Sequence, residues 1–198
     1  MRLTRIIGLA IGIIFVTTPM AFAHPDSRMV GGSFGAGLVH PLSGWDHLLA
    51  MFGIGLLSAR IGGSALWALP GAFVASMIGG GIAGMLGYPM QFVEFGIAAS
   101  LVVVGLAIAL DGRRKVALLA LISAVIGAIH GHAHGTEMPT MAAPVVYAIG
   151  FVAATCCLHF AGVLIGRLAI QSRRGAIALR WAGAVVAMAG IGFATVLG

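Results

Sequence analysis

The segment HPLSGWDH (residues 40–47) places two histidines and an aspartate inside a strongly apolar part of the chain. Ionisable side chains are costly at membrane depth, where they usually line a cavity or pair with one another. Pro41 lacks a backbone donor and Gly44 has unusual conformational freedom, so both favour a break in a helix. The segment therefore predicts a polar site at an interrupted membrane helix.

The composition is that of a membrane protein. The chain has 198 residues, of which 60% are hydrophobic and 8% charged, whereas a soluble domain carries about 25% charged residues. We therefore expect one integral domain, an all-α polytopic membrane protein in contact with the lipid bilayer. The Lys and Arg residues behind the net charge of +6 are scattered, so we expect no nucleic-acid partner.

Residues 1–23 have the pattern of a secretory signal peptide. Two arginines precede an apolar stretch at residues 6–16, and Ala21, Phe22 and Ala23 form a small-residue cleavage site. An uncleaved first helix is the alternative, but this apolar core is short for a membrane span. We predict a cleaved signal peptide at 1–23 and a mature membrane domain at 24–198.

The apolar runs of the mature chain predict six transmembrane helices. The first contains residues 40–47 and is either broken or re-entrant, and the fourth is short unless it continues beyond residue 129. With the mature amino terminus outside, eight Lys and Arg lie in cytoplasmic loops and one outside. The positive-inside rule thus predicts a multi-pass protein of the bacterial inner membrane with both mature termini extracytoplasmic. The predicted spans are residues 30–59, 64–87, 89–110, 116–129, 141–168 and 176–197.

A second polar cluster, HGHAHGTE, occupies residues 130–137. In a helix His130, His134 and Glu137 share one face, since they follow i, i+4, i+7 spacing, while His132 points away from them. We expect the two glycines of the cluster, at positions 131 and 135, to loosen this helix. Glycines elsewhere are expected at helix-packing positions.

The predicted topology brings both clusters and Glu94 to the same outer level of the membrane. Histidine nitrogens and carboxylate oxygens suit borderline divalent metals such as nickel, cobalt and zinc. We therefore predict one shared metal site. Its candidate ligands are His40, Asp46, His47, Glu94, His130, His132, His134 and Glu137. His159 is expected to be a packing residue, and the neighbouring Cys156 and Cys157 to be buried thiols without a disulfide.

The two motifs together resemble those of the HupE/UreJ family of nickel permeases, which carries H-P-x-x-G-x-D-H and later H-G-x-A-H-G-x-E. Glu94, in PMQFVEFG (residues 89–96), is similar to the family's acidic residue in span three, and Phe73 to an aromatic position that the family uses. The resemblance implies secondary transport of Ni²⁺, or of Co²⁺, into the cytoplasm for hydrogenase or urease maturation, without a prosthetic group. It also implies a set of essential residues: His40, Asp46, His47, Glu94, His134 and Glu137, with His130 close behind.

We hypothesise that His132 and His134 capture the ion and pass it to His40, Asp46 and His47. No GxxxxGK[ST] motif for ATP occurs in the sequence, so the energy would come from gradients or from trapping of the metal. An intramembrane zinc hydrolase is the main alternative, with Glu94 or Glu137 as general base. We expect no enzyme, because the sequence offers no dedicated nucleophile–base pair, although Ser43 lies within the first motif. A metal sensor would need larger cytoplasmic loops.

Overall fold

The computed structural model describes residues 31–110, 115–139 and 142–197, and all regular secondary structure in these ranges is helical. The signal peptide predicted for residues 1–23 lies outside the described residues. The helices are α1 (Gly32–Ser43), α2 (Trp45–Ile61), α3 (Ala65–Met85), α4 (Val93–Ala109), α5 (Val116–Thr136), α6 (Pro144–Ala169) and α7 (Arg173–Leu197).

The lengths of the helices fit a polytopic membrane protein. Helices α3, α5, α6 and α7 are long and apolar enough to cross a membrane. Helix α4 is apolar but has 17 residues, about 25 Å at 1.5 Å per residue, against a hydrocarbon core of about 30 Å. Helix α5 continues through the second polar cluster to Thr136, as the fourth predicted span required. The total of six spans stays a prediction.

The first predicted span is broken at a single residue. Gly44 is extended (φ −106°, ψ 123°) and separates α1 from α2, whereas Pro41 stays inside α1, so the break is narrower than the Pro41–Gly44 stretch that the sequence indicated. Both halves follow α6 in the same direction. Gly37 of α1 packs on the backbone of Tyr147, and Gly55 of α2 packs further along α6, at His159. This arrangement is that of a broken helix.

Helices α3 and α5 are parallel and packed backbone to backbone. A Cβ atom added to Gly131 would overlap the carbonyl oxygen of Met77, and one on Gly135 would overlap that of Gly81. The Ser123 hydroxyl donates to the carbonyl of Leu69 at 2.8 Å. The glycines of the second cluster therefore hold α5 against α3 and do not loosen it, because their missing side chains permit the close approach.

Helices α4 and α7 are antiparallel, and basic residues gather at one end of the bundle. Arg180 of α7 donates from Nε to the carbonyl of Ala109, the last residue of α4, at 3.1 Å. Arg60 and Arg173 line the same surface pocket as Arg180. Residues 130–137 lie at the opposite end of α5 from Lys115, so the second polar cluster and the basic residues occupy opposite ends of the bundle.

The two cysteines differ in part from expectation. Cys156 and Cys157 are free thiols, as predicted, but both are exposed on the surface of α6 and are not buried. In a helix that is apolar on all sides, hydrophobicity does not indicate which side faces the protein.

Candidate metal site

The two polar clusters meet at a contact between residues 97 positions apart. Nε2 of His40 lies 3.1 Å from Oε2 of Glu137. Nδ1 of His134 lies 3.9 Å from the same carboxylate oxygen. One ligand atom from each of these three residues falls within 4.8 Å of the others, which is close enough for a shared metal ion. His134 is buried, whereas the Glu137 side chain is 48% exposed, so the site has an open mouth.

The backbone also favours a cation at this mouth. His40 lies in the last turn of α1, and Glu137 is the C-cap of α5. The carboxyl-terminal end of a helix carries a partial negative charge from unpaired carbonyl groups, which stabilises nearby cations. Two helices thus direct their negative ends toward the oxygen and nitrogens that would bind the ion.

Asp46 orients His47. Oδ1 of Asp46 accepts hydrogen bonds from the backbone N–H of His47 and from its ring Nδ1, both at 2.8 Å. Nε2 of His47 is buried and has no hydrogen-bond partner among the described residues, so its lone pair is free for a metal. A carboxylate behind a ligating histidine fixes the tautomer and raises its basicity. In this geometry Asp46 orients the imidazole, and Nε2 of His47 is the atom available to a metal.

Gly44 leaves room for that pair. A Cβ atom at this position would lie 2.8 Å from Oδ1 of Asp46 and 3.1 Å from Nδ1 of His47. Contacts this short would push both side chains away from their present positions. The break between α1 and α2 therefore also provides the space in which the carboxylate and the imidazole turn toward each other.

His130 extends the site one turn deeper along α5. Its Nδ1 donates to the carbonyl of Ile126 at 2.9 Å, and its buried Nε2 has no partner in the described ranges. The four imidazole rings are in contact: the centroid distances are 4.7 Å between His40 and His134, 4.3 Å between His134 and His47, and 5.1 Å between His47 and His130. We call His40, His47, His130, His134 and Glu137 the histidine cluster.

Two predicted site residues lie beside this cluster. Glu94 is exposed at the start of α4, close enough to interact electrostatically with Glu137, His47 and Asp46. His132 points away from the cluster, as its helical position predicted, and its Nε2 donates to the carbonyl of Tyr88 at 2.7 Å. A role of His132 in metal capture stays a prediction.

Aromatic residues enclose the cluster. Phe73, a predicted transport-supporting residue, is fully buried with its ring centroid 5.7 Å from that of His130. Tyr147 and Phe151 of α6 were not among the predicted site residues. Their ring centroids lie 5.9 Å from that of His40 and 4.2 Å from that of His134, respectively. Their i, i+4 spacing was the available signal, but aromatic residues that face lipid can have the same spacing.

Comparison with known proteins agrees with the two motifs. The family described as HupE / UreJ protein matches residues 12–193. Protein HupE of Rhizobium leguminosarum bv. viciae is 40% identical over 181 residues, which cover 88% of this chain and 94% of the relative. No solved structure matches the chain. The family match includes every candidate ligand.

Proposed function

Because the chain belongs to the HupE/UreJ family, we propose that it is a multi-pass permease that imports a divalent transition metal ion across the bacterial cytoplasmic membrane. The ion is Ni²⁺ or Co²⁺, destined for the maturation of hydrogenase or urease. It is the substrate, and the protein uses no prosthetic group. The family and the donor set support this assignment, since imidazole nitrogens with one carboxylate suit borderline metals.

The observation that carries the proposal is the meeting of His40 and Glu137 above three buried histidines. His47, His130 and His134 present ring nitrogens that have no partner among the described side chains. Buried polar groups are normally hydrogen-bonded, so these nitrogens indicate a ligand. They are also spread over successive turns, which allows an ion to move from one set of donors to the next.

The rival hydrolase has less support. Ser43 donates its hydroxyl proton to the carbonyl of Val39 at 3.1 Å, which is a helix-internal bond and does not activate a nucleophile. A zinc hydrolase also needs a site that retains its metal and leaves one coordination position open for water, whereas a permease must release the ion. Exchange of bound metal within seconds is expected here.

We also propose an orientation. The open mouth with Glu137 faces the outside, and the basic end with Arg60, Arg173 and Arg180 faces the cytoplasm, as the positive-inside rule favours. Both mature termini are then extracytoplasmic, because a signal peptide delivers the amino terminus there and six spans return the chain to the same side.

The test is uptake of radiolabelled Ni²⁺ by cells that express the full chain. His47→Ala and Glu137→Gln each remove one donor and should lower the rate by about tenfold or more. Cys157→Ala, on the exposed surface of α6, is the matched control and should behave as wild type. Undiminished uptake by either ligand variant at equal abundance in the membrane would overturn the proposal.

A further inference from the structure

A second buried histidine site lies deeper in the bundle, outside the histidine cluster. His159 of α6 is 3% exposed, and neither of its ring nitrogens has a hydrogen-bond partner among the described residues. A buried imidazole without partners is unusual, because the lost hydration is normally replaced by a hydrogen bond. The packing role predicted for His159 does not account for two ring nitrogens without hydrogen-bond partners among the described residues.

The ring of Phe73 connects His159 to the histidine cluster. Phe73 lies 5.7 Å from His130 on one side and 5.0 Å from His159 on the other, measured between ring centroids. The rings therefore form a continuous series, which we call the ring file. Its members are, in order, His40, His134, His47, His130, Phe73 and His159. The file runs from the open mouth toward the basic end.

Two buried thioether groups lie at a depth in the bundle between the histidine cluster and His159. The hydroxyl of Thr155 is 3.4 Å from Sδ of Met51 and 3.7 Å from Sδ of Met77, which brings α2, α3 and α6 together. Thr155 precedes His159 by one turn on the same face of α6, and Met77 follows Phe73 by one turn on α3. Both methionines are fully buried.

These donors differ in charge from those at the mouth. Imidazole and thioether groups bind borderline and soft metals, but they are neutral, whereas the histidine cluster includes a carboxylate. A neutral donor set holds a dication less tightly than a set with a carboxylate. Conduction requires a site that the ion can enter and also leave, and weaker donors nearer the exit meet that requirement.

We propose that His159, with the sulfur atoms of Met51 and Met77, forms an inner binding position for the transported ion, reached from the histidine cluster past the ring of Phe73. This inference rests on the proposed transport function. The ion leaves Glu137 behind at the mouth and passes to neutral donors before its release. His159 is thus a ligand and not only a residue that fills the core.

The first experiment separates a ligand from a packing residue. His159→Phe keeps an aromatic ring against Phe73 but removes both nitrogens. In radiolabelled Ni²⁺ uptake we expect Vmax to fall about tenfold with KM nearly unchanged, since the cluster that captures the ion is intact. Met51→Leu/Met77→Leu keeps the apolar volume without the sulfurs and should lower Vmax by about threefold. Phe160→Ala, one position along and exposed, should match wild type.

The second experiment measures binding and does not depend on transport. Purified full-length protein in detergent is titrated with Co²⁺, and its absorption bands are followed. Wild type should bind a tight equivalent and a weaker one, and His159→Phe should lose only the weaker.

Retention of both equivalents overturns the inner position, and so does a wild-type Vmax in His159→Phe. If His159→Phe does not fold, the double methionine variant decides by the same two measurements. If wild type transports no metal, the proposed function fails, and the titration alone still decides the inner position.

Discussion

At the scale of single residues, the pair Asp46–His47 shows how adjacent residues can take different roles. Consecutive positions on a regular helix point about 100° apart, so on an uninterrupted helix the two side chains would face different directions. Their hydrogen bond at 2.8 Å is possible because they occupy the first turn of α2, directly after the extended Gly44. The carboxylate therefore acts through the imidazole.

Asp46→Asn tests this role. An amide oxygen still accepts the Nδ1–H of His47 but supplies no negative charge, so the basicity of the ring falls. Loss of such a supporting carboxylate typically costs about 10–100-fold in metal affinity, and we expect KM for Ni²⁺ to rise by that factor. An unchanged KM would show that the charge of Asp46 has no part in binding.

Competition between protons and metal gives a second prediction. A protonated imidazole ring has no lone pair for a metal, so protons and the ion compete for the same ring nitrogens. Lowering the external pH from about 7.5 to about 5.5 should therefore raise KM several-fold, while saturating Ni²⁺ restores the rate. A fall in Vmax at constant KM would place the titrating group elsewhere than in the open mouth.

At the scale of helices, the α3–α5 pair fixes the depth of the site. Gly127, Gly131 and Gly135 of α5 lie against the α3 backbone, which places His130 and His134, each one position earlier, toward α2. The packed pair of helices is therefore a rigid support that positions His130 and His134 in the cluster. The broken helix α1–α2 supplies the other two.

Gly131→Ala should separate this pair. Its added Cβ would overlap the carbonyl of Met77, a backbone atom that cannot turn aside, and overpacking of this kind costs about 1–3 kcal/mol. We expect a lower thermal unfolding temperature in detergent. Gly79→Ala on α3 is the matched control, because nothing lies within 4 Å of its added Cβ. Equal stability of the two variants would contradict the backbone-to-backbone packing.

Much of this arrangement followed from sequence patterns. The spacing of residues 130, 134 and 137 predicted their common face, and the first motif predicted a break. The residue at which the helix breaks could not be predicted. A proline in the last turn of a helix costs only one hydrogen bond, so Pro41 is tolerated inside α1. The sequence also did not predict the proximity of three buried side chains, Met51, Met77 and His159. Helices that are apolar all round do not show which side faces the core.

At the scale of the whole molecule, charge is distributed unevenly between the two ends. Three of the five acidic residues of the chain, Asp46, Glu94 and Glu137, surround the open mouth. Arg60, Arg173 and Arg180 lie around one pocket at the other end. An acidic mouth raises the local concentration of cations, and the positive-inside rule favours a cytoplasmic location for the basic end.

Cysteine labelling in intact cells tests the orientation. In a chain with Cys156 and Cys157 replaced by serine, a membrane-impermeant maleimide should label Gln91→Cys, which is exposed in the loop between α3 and α4. Ser172→Cys, exposed between α6 and α7, should react only after permeabilisation. The opposite labelling pattern would contradict the proposed topology.

The ring file has an electrical consequence. His130, Phe73 and His159 carry no negative charge, so a dication that leaves the carboxylates of the mouth moves its two charges through the rest of the bilayer. An inside-negative potential of 100 mV contributes about 2.3 kcal/mol per charge, or about 4.6 kcal/mol for this ion. That work corresponds to about three orders of magnitude in concentration. We therefore expect the proposed uptake along this path to be electrogenic, with the voltage across the membrane as a source of energy.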